Sequence, residues 1–184
     1  MSMQHLVILS GNSKENQTWG EVMRDQYGPH FGSAYLQTYE HWETGGPAID
    51  FDVELQKLKE RPDPLFAAGE QVVLAKSAGA LLAFIAVAEG ILKPTKAIFF
   101  GIPFDLAAEE LFKDDWSAVG NFTVPAIAFH NQNDPTTDYR FAAATLAQYT
   151  PHIELITTTE TDHWYGDTDT YDSYIESFLK NETP

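Results

Sequence analysis

The sequence predicts an α/β fold: a three-layer α/β/α sandwich built on a mostly parallel six-stranded sheet. Compact apolar runs of strand length recur at residues 5–10, 71–75, 96–101, 124–129 and 153–157, and unbroken runs of this kind mark strands covered on both faces. Segments with helical spacing lie between them, and strand–helix alternation builds parallel sheets. The helix expected over 78–89 is apolar nearly all round, which suits a central, covered helix.

Taken in order, residues 5–10 form the first strand, closed by Gly11-Asn12. A polar loop follows, then a helix over 19–26, then a second strand over 33–39 that is less apolar and therefore nearer a sheet edge. Gly45-Gly46-Pro47 breaks the pattern, and Phe51, Leu55 and Leu58 resume helical spacing until Pro62 and Pro64 end it. Residues 71–75 are the third strand, which runs through Ser77 into the apolar helix. Residues 96–101 and 124–129 are the fourth and fifth strands. Between them Phe104, Leu106, Leu111, Phe112 and Trp116 stand among several acids. A helix over 142–148, the sixth strand over 153–157 and an amphipathic helix over 171–179 complete the chain. No repeat, linker or low-complexity tract interrupts it, so residues 1–184 are expected to make a single domain.

Composition removes several function classes. The formal net charge is −16, from 27 acidic and 11 basic residues, a field that repels phosphate backbones and anionic bilayers, so neither nucleic acid nor membrane is expected as a partner. The absence of cysteine removes disulfides, thiol catalysis and zinc–thiolate sites, and fits a cytoplasmic setting. The N-terminus shows no basic segment followed by a long apolar one, so no secretory signal is visible. The longest uncharged apolar run, 78–88, falls short of the roughly 18 residues of a membrane span.

The chemistry is expected where a parallel sheet binds ligands, beyond the C-terminal ends of its strands. Gly11, Asn12 and Ser13 follow the first strand, Ser77 the third, residues 130–134 the fifth, and Asp162 and His163 the sixth. Ser77 is flanked two residues away by Ala75 and Gly79, a near match to the G-x-S-x-G elbow in which a tight strand-to-helix turn presents a nucleophilic hydroxyl. Small neighbours are needed there because the turn brings backbone segments close together. Serine, then Asp134, then His163 is the chain order of an α/β-hydrolase triad. Of the histidines beyond Asp134, His152 enters the sixth strand at its N-terminal end, whereas His163 follows the C-terminal end, so His163 is the expected base.

The chain resembles small single-domain members of the α/β-hydrolase superfamily, the serine hydrolases of the retinoblastoma-binding hydrolase and YdeN type. The matching pieces are Leu9-Ser10-Gly11-Asn12, Ala75-Lys76-Ser77-Ala78-Gly79, Asn133-Asp134-Pro135 and Asp162-His163-Trp164, which together span nearly the whole length. The resemblance implies a strand order 2-1-3-4-5-6, which brings Gly11-Asn12 beside Ser77. It also implies hydrolysis of small ester, thioester or amide bonds in small molecules or peptides, through an acyl-enzyme. In that scheme Ser77 attacks the carbonyl, His163 takes and returns the proton, and Asp134 orients the imidazole. The oxyanion takes one backbone N–H from Ala78 and another from Asn12 or Ser13. Water completes the cycle, and neither a metal nor an organic cofactor is required.

Plainer roles stand beside these. Ser77 could be a helix N-cap, and Asp134 a turn former in Asn-Asp-Pro, with Asp138 as the rival acid. His163 sits among Asp162, Asp167 and Asp169, whose spacing is not that of a calcium loop. Lys76 is expected as a solvated charge at the elbow, near the pocket mouth. Trp19, Trp42, Trp116 and Tyr165 are packing residues by default, and Trp164 has the best claim to line a pocket. With about 20 residues between the fourth and fifth strands there is no room for a large cap, and a short aromatic lid is expected from Phe104 to Trp116. The competing reading is a non-catalytic protein-binding module on the same fold. A nucleotide-binding flavodoxin-like protein would need a glycine-rich phosphate loop after the first strand, where Gly11-Asn12-Ser13-Lys14 is too short.

Overall fold

The computed structural model describes residues 4–61, 70–113 and 115–180. Its strands are β1 (Gln4–Leu9), β2 (Ser33–Leu36), β3 (Glu70–Lys76), β4 (Pro94–Phe100), β5 (Ala126–Asn131) and β6 (Glu154–Thr158). They form one six-stranded sheet in the order β2-β1-β3-β4-β5-β6, and every neighbouring pair is parallel. Strand order therefore reverses between β1 and β3, whose C-terminal ends stand side by side with Leu9 opposite Ala75. The two edges are β2 and β6, whose residues are only partly buried, as the mixed polarity of 33–39 foretells for β2.

The helices are α1 (Asn16–Tyr27), α2 (Glu40–Thr44), α3 (Phe51–Glu60), α4 (Ala78–Ala88), α5 (Phe104–Glu110), α6 (Ser117–Gly120), α7 (Tyr139–Tyr149) and α8 (Asp172–Lys180). Alternation along the strands divides the core between the two faces of the sheet. Val7, Leu9, Val73, Ala75 and Phe99 pack with α3, α4 and α7 on one face. Leu6, Ile8, Val72, Leu74, Ile98 and Phe100 meet Trp19 and Met23 of α1 and Ile175 of α8 on the other. The next residue of that second row on β3 is Lys76.

Helix α4 is buried from Ala78 to Phe84, which accounts for its lack of a polar face. The short α2 has too few turns to show a helical period in the sequence, and ends at Gly45 with φ 76, a left-handed position that glycine occupies without strain. The ladder of β5 starts at Ala126 rather than at Val124, because Pro125 has no N–H to donate; it continues through His130 and Asn131, which the sequence places in the following loop. Pro62 and Pro64, expected to end α3, lie outside the described residues. No helix among the described residues is long and apolar enough to cross a membrane.

Candidate active site

The turn between β3 and α4 is sharp. Ser77 adopts φ 51, ψ −124, and its N–H bonds to the Phe100 carbonyl at 2.9 Å. Among the described residues the non-glycine residues at positive φ are Ser77 and Tyr165, and both belong to this site. Such conformations cost about 1–3 kcal/mol each and persist where surrounding contacts hold them. The Ser77 side chain makes no capping bond to its helix, so the N-cap role is not realised. Gly79 explains the turn sterically: a Cβ there would stand 2.1 Å from the Leu9 carbonyl oxygen and 2.4 Å from that of Ser10. Its absence lets α4 start directly on the end of β1. Ala75 is fully buried in the core, on a strand flanked by β1 and β4.

The acid and the imidazole come together from two other strand exits. His163 Nδ1 is 2.7 Å from Asp134 Oδ2, with side chains 18% and 0% exposed. The same Oδ2 accepts the Tyr165 hydroxyl at 2.6 Å, and Oδ1 accepts the N–H groups of Thr136 and Thr137 at 2.8 and 3.3 Å. Burial pushes the Asp134 carboxyl up, but the bonds from His163 and Tyr165 outweigh it and hold the group below its ordinary value. A charged carboxylate can only accept, so Nδ1 carries a proton, and in the tautomer protonated there alone Nε2 is an acceptor. That Nε2 is buried and has no hydrogen-bond partner, the Ser77 hydroxyl included. The imidazole rests on Gly101, where a Cβ would stand 2.9 Å from His163 Cε1 and 2.6 Å from the Tyr165 ring. Gly101 directly follows Phe100, whose carbonyl receives the Ser77 N–H, so the ring lies at the β3–β4 exit beside the serine. Asp138, the rival acid, caps α7 by accepting the Phe141 N–H at 2.9 Å.

A cleft of about 340 Å³ opens over Ser77 and Ala78. Asn12 forms one side, Ile49, Phe51, Leu81, Leu106 and Leu111 make it apolar, and Glu110 stands as the charged residue of its wall. Asn12 is fixed through its oxygens: its carbonyl accepts from His41 Nε2 at 2.6 Å and Trp42 Nε1 at 2.8 Å, and its Oδ1 accepts from the Ile49 N–H at 2.7 Å. None of these bonds uses its peptide N–H. Ser13 lies in a separate depression with Lys14, His41 and Gly45, its hydroxyl and carbonyl both accepting from Asn16. Of the two candidates after β1, it is Asn12 that meets Ser77 in the cleft. A further depression of about 330 Å³ around Tyr27, Asp172 and Lys180 contains none of these groups. Among the described residues no group of three or more His, Asp or Glu side chains is gathered to hold a metal ion.

Several expectations are corrected. Lys76 is not solvated but 2% exposed, bonded to Asn16 Oδ1. Its position in the inward-facing row of β3 points it under α1. Phe104 is fully buried against Phe84 and Trp116 stacks on Tyr149, so the aromatics of 104–116 face inward. Their neighbours Pro103, Leu106, Ala107, Glu110 and Leu111 line the cleft instead. Gly11 is buried and gives room to the Asn16 side chain, 2.8 Å from where its Cβ would be, rather than facing the cleft. Trp164 is 41% exposed and lies over Lys76, with the ammonium 4.9 Å from its ring, away from the cleft wall. Gly101 and Tyr165, the latter a packing residue by default, also belong to the site. The hydroxyl of Tyr165 donates to Asp134, a bond that its packing default concealed, and nothing in the sequence distinguishes Gly101 from other loop glycines.

No family model matches the chain, and no curated protein matches it in sequence. Solved structures match it in fold. A lidless α/β serine hydrolase of Xanthomonas campestris superposes with a TM-score of 0.75 at 14% identity, over 100% of this chain and 85% of that one. A YdeN-like hydrolase of Pectobacterium atrosepticum gives 0.71 at 17% identity over 99% and 94%. The esterase Pf2001 of Pyrococcus furiosus gives 0.71 at 14% over 98% and 81%. With its parallel sheet in this strand order and its serine at the β3–α4 turn, the chain has the α/β-hydrolase fold.

Proposed function

We propose that the chain is a serine hydrolase cleaving small ester, thioester or amide bonds, with Ser77 as nucleophile, His163 as base and Asp134 as its orienting acid. The observation that carries the reading is the Asp134–His163 pair, whose Nε2 is buried and unbonded and whose ring packs on Gly101, the residue after Phe100, whose carbonyl holds the N–H of the strained Ser77. The structural neighbours, named as hydrolases and an esterase, agree with it.

The steps follow from the groups present. Substrate in the cleft brings its carbonyl carbon to the Ser77 oxygen, and Nε2 takes the hydroxyl proton as the new C–O bond forms. The carboxylate of Asp134 stabilises the resulting imidazolium through Nδ1–H. The negative oxygen of the tetrahedral intermediate is met by the N–H of Ala78, in the first turn of α4 where amides have no helical acceptor, and by that of Asn12. The α4 N-terminus adds its positive dipole end. The imidazolium returns its proton to the leaving group, and water then repeats the sequence on the acyl-enzyme. Anchoring Asn12 through its oxygens fits such a donor, since an oxyanion site works by being rigid beforehand. The apolar cleft with Glu110 in its wall, in a chain of net charge −16, suits uncharged acyl groups of modest size.

Turnover of p-nitrophenyl acetate tests the proposal. Ser77→Ala should lower kcat by about a thousandfold or more with an unchanged circular-dichroism spectrum; activity within tenfold of the parent refutes it.

A further inference from the structure

The residue before the nucleophile is a buried lysine that the mechanism above does not use. We propose that Lys76 is a positioning residue: its ammonium, held between Asn16 and the Trp164 ring, ties the segment carrying His163 to the segment that follows β1. The inference rests on the hydrolase reading, whose base and oxyanion loop are the two parts being tied.

Lys76 Nζ donates to Asn16 Oδ1 at 2.5 Å, and Asn16 Nδ2 donates in turn to Ser13 Oγ at 2.9 Å. The Asn16 N–H also bonds to the Ser13 carbonyl, so this end of the tie is the loop that carries Asn12. The ammonium lies 4.9 Å from the centre of the Trp164 ring and 5.6 Å from that of Trp19, within cation–π range of both. Trp164 adjoins His163, and Trp19 Nε1 donates to the Tyr165 carbonyl at 3.0 Å, so both rings belong to the packing of the histidine segment. The loop is closed on its far side by Asp162, whose Oδ1 accepts the Trp164 and Tyr165 N–H groups at 2.6 and 3.3 Å.

A lysine this deep is costly without a carboxylate partner, and among the described residues it makes no ion pair within 4.0 Å. The charged groups facing it are Asp134, after β5, and Asp162, after β6, both acting at longer range. From α1 it meets Asn16 and Trp19, which do not titrate. Burial lowers its pKa to about 8, against the pull of those two carboxylates. The cation–π part of the tie exists while the group is charged, and deprotonation removes it.

The test uses the full chain labelled with 5-fluorotryptophan, the Trp164 resonance being assigned with Trp164→Phe. In the parent this resonance should titrate with a midpoint near pH 8, and in Lys76→Met it should stay flat. Lys76→Met should lower kcat by about tenfold or more while KM stays within about twofold, because Lys76 is not part of the cleft wall. The parent's kcat should fall through the same alkaline midpoint, and that limb should vanish in the variant. A flat Trp164 resonance in the parent overturns the proposal, as does a Lys76→Met enzyme with parental kcat and pH profile. Should Lys76→Met fail to fold, Asn16→Asp decides: a carboxylate on the ammonium should raise the midpoint by about one pH unit or more, and an unchanged midpoint overturns the tie. Loss of Ser77 reactivity toward a fluorophosphonate in the parent would strike the hydrolase reading alone, since the fluorine titration needs no turnover.

Discussion

Replacing Gly79 with alanine sets two effects of opposite sign against each other. Helix propensity favours alanine over glycine by about 1 kcal/mol inside a helix, so propensity alone predicts a more stable protein. Contact geometry predicts the reverse. The new Cβ would stand 2.1 Å from the Leu9 carbonyl oxygen, 2.4 Å from that of Ser10 and 2.5 Å from the Leu9 carbonyl carbon. Carbon and carbonyl oxygen sit comfortably at about 3.3 Å, so α4 or the end of β1 must retreat by about 1 Å. These are backbone atoms at the centre of the sheet, and no side-chain rotation can relieve them. Overpacking of this kind costs about 1–3 kcal/mol, and a collision this deep belongs at the upper end, leaving a net loss of about 2 kcal/mol. That corresponds to a fall in Tm of about 4–8 °C for a chain of this size. The retreat also parts Asn12 from Ala78 and Ser77, and a misplacement of about 1 Å lowers kcat/KM by about a hundredfold. Calorimetry and p-nitrophenyl acetate turnover read both effects. A Gly79→Ala protein that is as stable as the parent and active within threefold would refute the steric account of the elbow.

The two aspartates after β5 should separate by phenotype. Asp134→Asn should reduce kcat by about a thousandfold or more, because an amide in place of the carboxylate can no longer stabilise the imidazolium. Asp138→Asn should leave kcat within a few-fold and change stability by under about 1 kcal/mol, since asparagine caps helices nearly as well; steady-state kinetics and urea unfolding distinguish the two, and a damaging Asp138→Asn would reassign the acid. Lys76 makes a stability prediction of its own. A pKa lowered from 10.5 to about 8 corresponds to about 3 kcal/mol of cost for carrying the charge in the fold. The unfolded chain binds the proton more tightly between about pH 8 and 10.5, so this group's contribution to stability rises with pH across that window and is level below it. The stability of the parent relative to Lys76→Met should therefore rise by about 3 kcal/mol between pH 7 and 10.5; urea midpoints at the two pH values check it, and a difference that does not change with pH contradicts it.

The sheet was legible in the sequence because its inner strands are buried on both faces, so residues such as Leu6-Val7-Ile8-Leu9 and Ala97-Ile98-Phe99-Phe100 form unbroken apolar runs. Ser77 was legible because its turn demands small neighbours, and His163 because it stands after rather than before a strand. What stayed hidden depends on contacts between distant parts of the chain. A single lysine at the end of an apolar run looks solvated until Asn16, Trp19 and Trp164 are seen around it. Phe104 and Trp116 suggested a lid by composition, but α5 has seven residues, too few to reveal which face is buried, and the rings point toward Phe84 and Tyr149. The bond from Tyr165 to Asp134 depends on a backbone turn at φ 53 that no residue type announces.

In the proposed mechanism the Ser77 hydroxyl is activated by the Asp134–His163 pair. Treating the parent, Ser77→Ala and His163→Ala with a fluorophosphonate and mapping the adduct by mass spectrometry tests it directly. The parent should carry a single adduct on Ser77, Ser77→Ala none, and His163→Ala should label more slowly by about a hundredfold or more. An unlabelled parent even at alkaline pH, or an adduct on another serine, would contradict it.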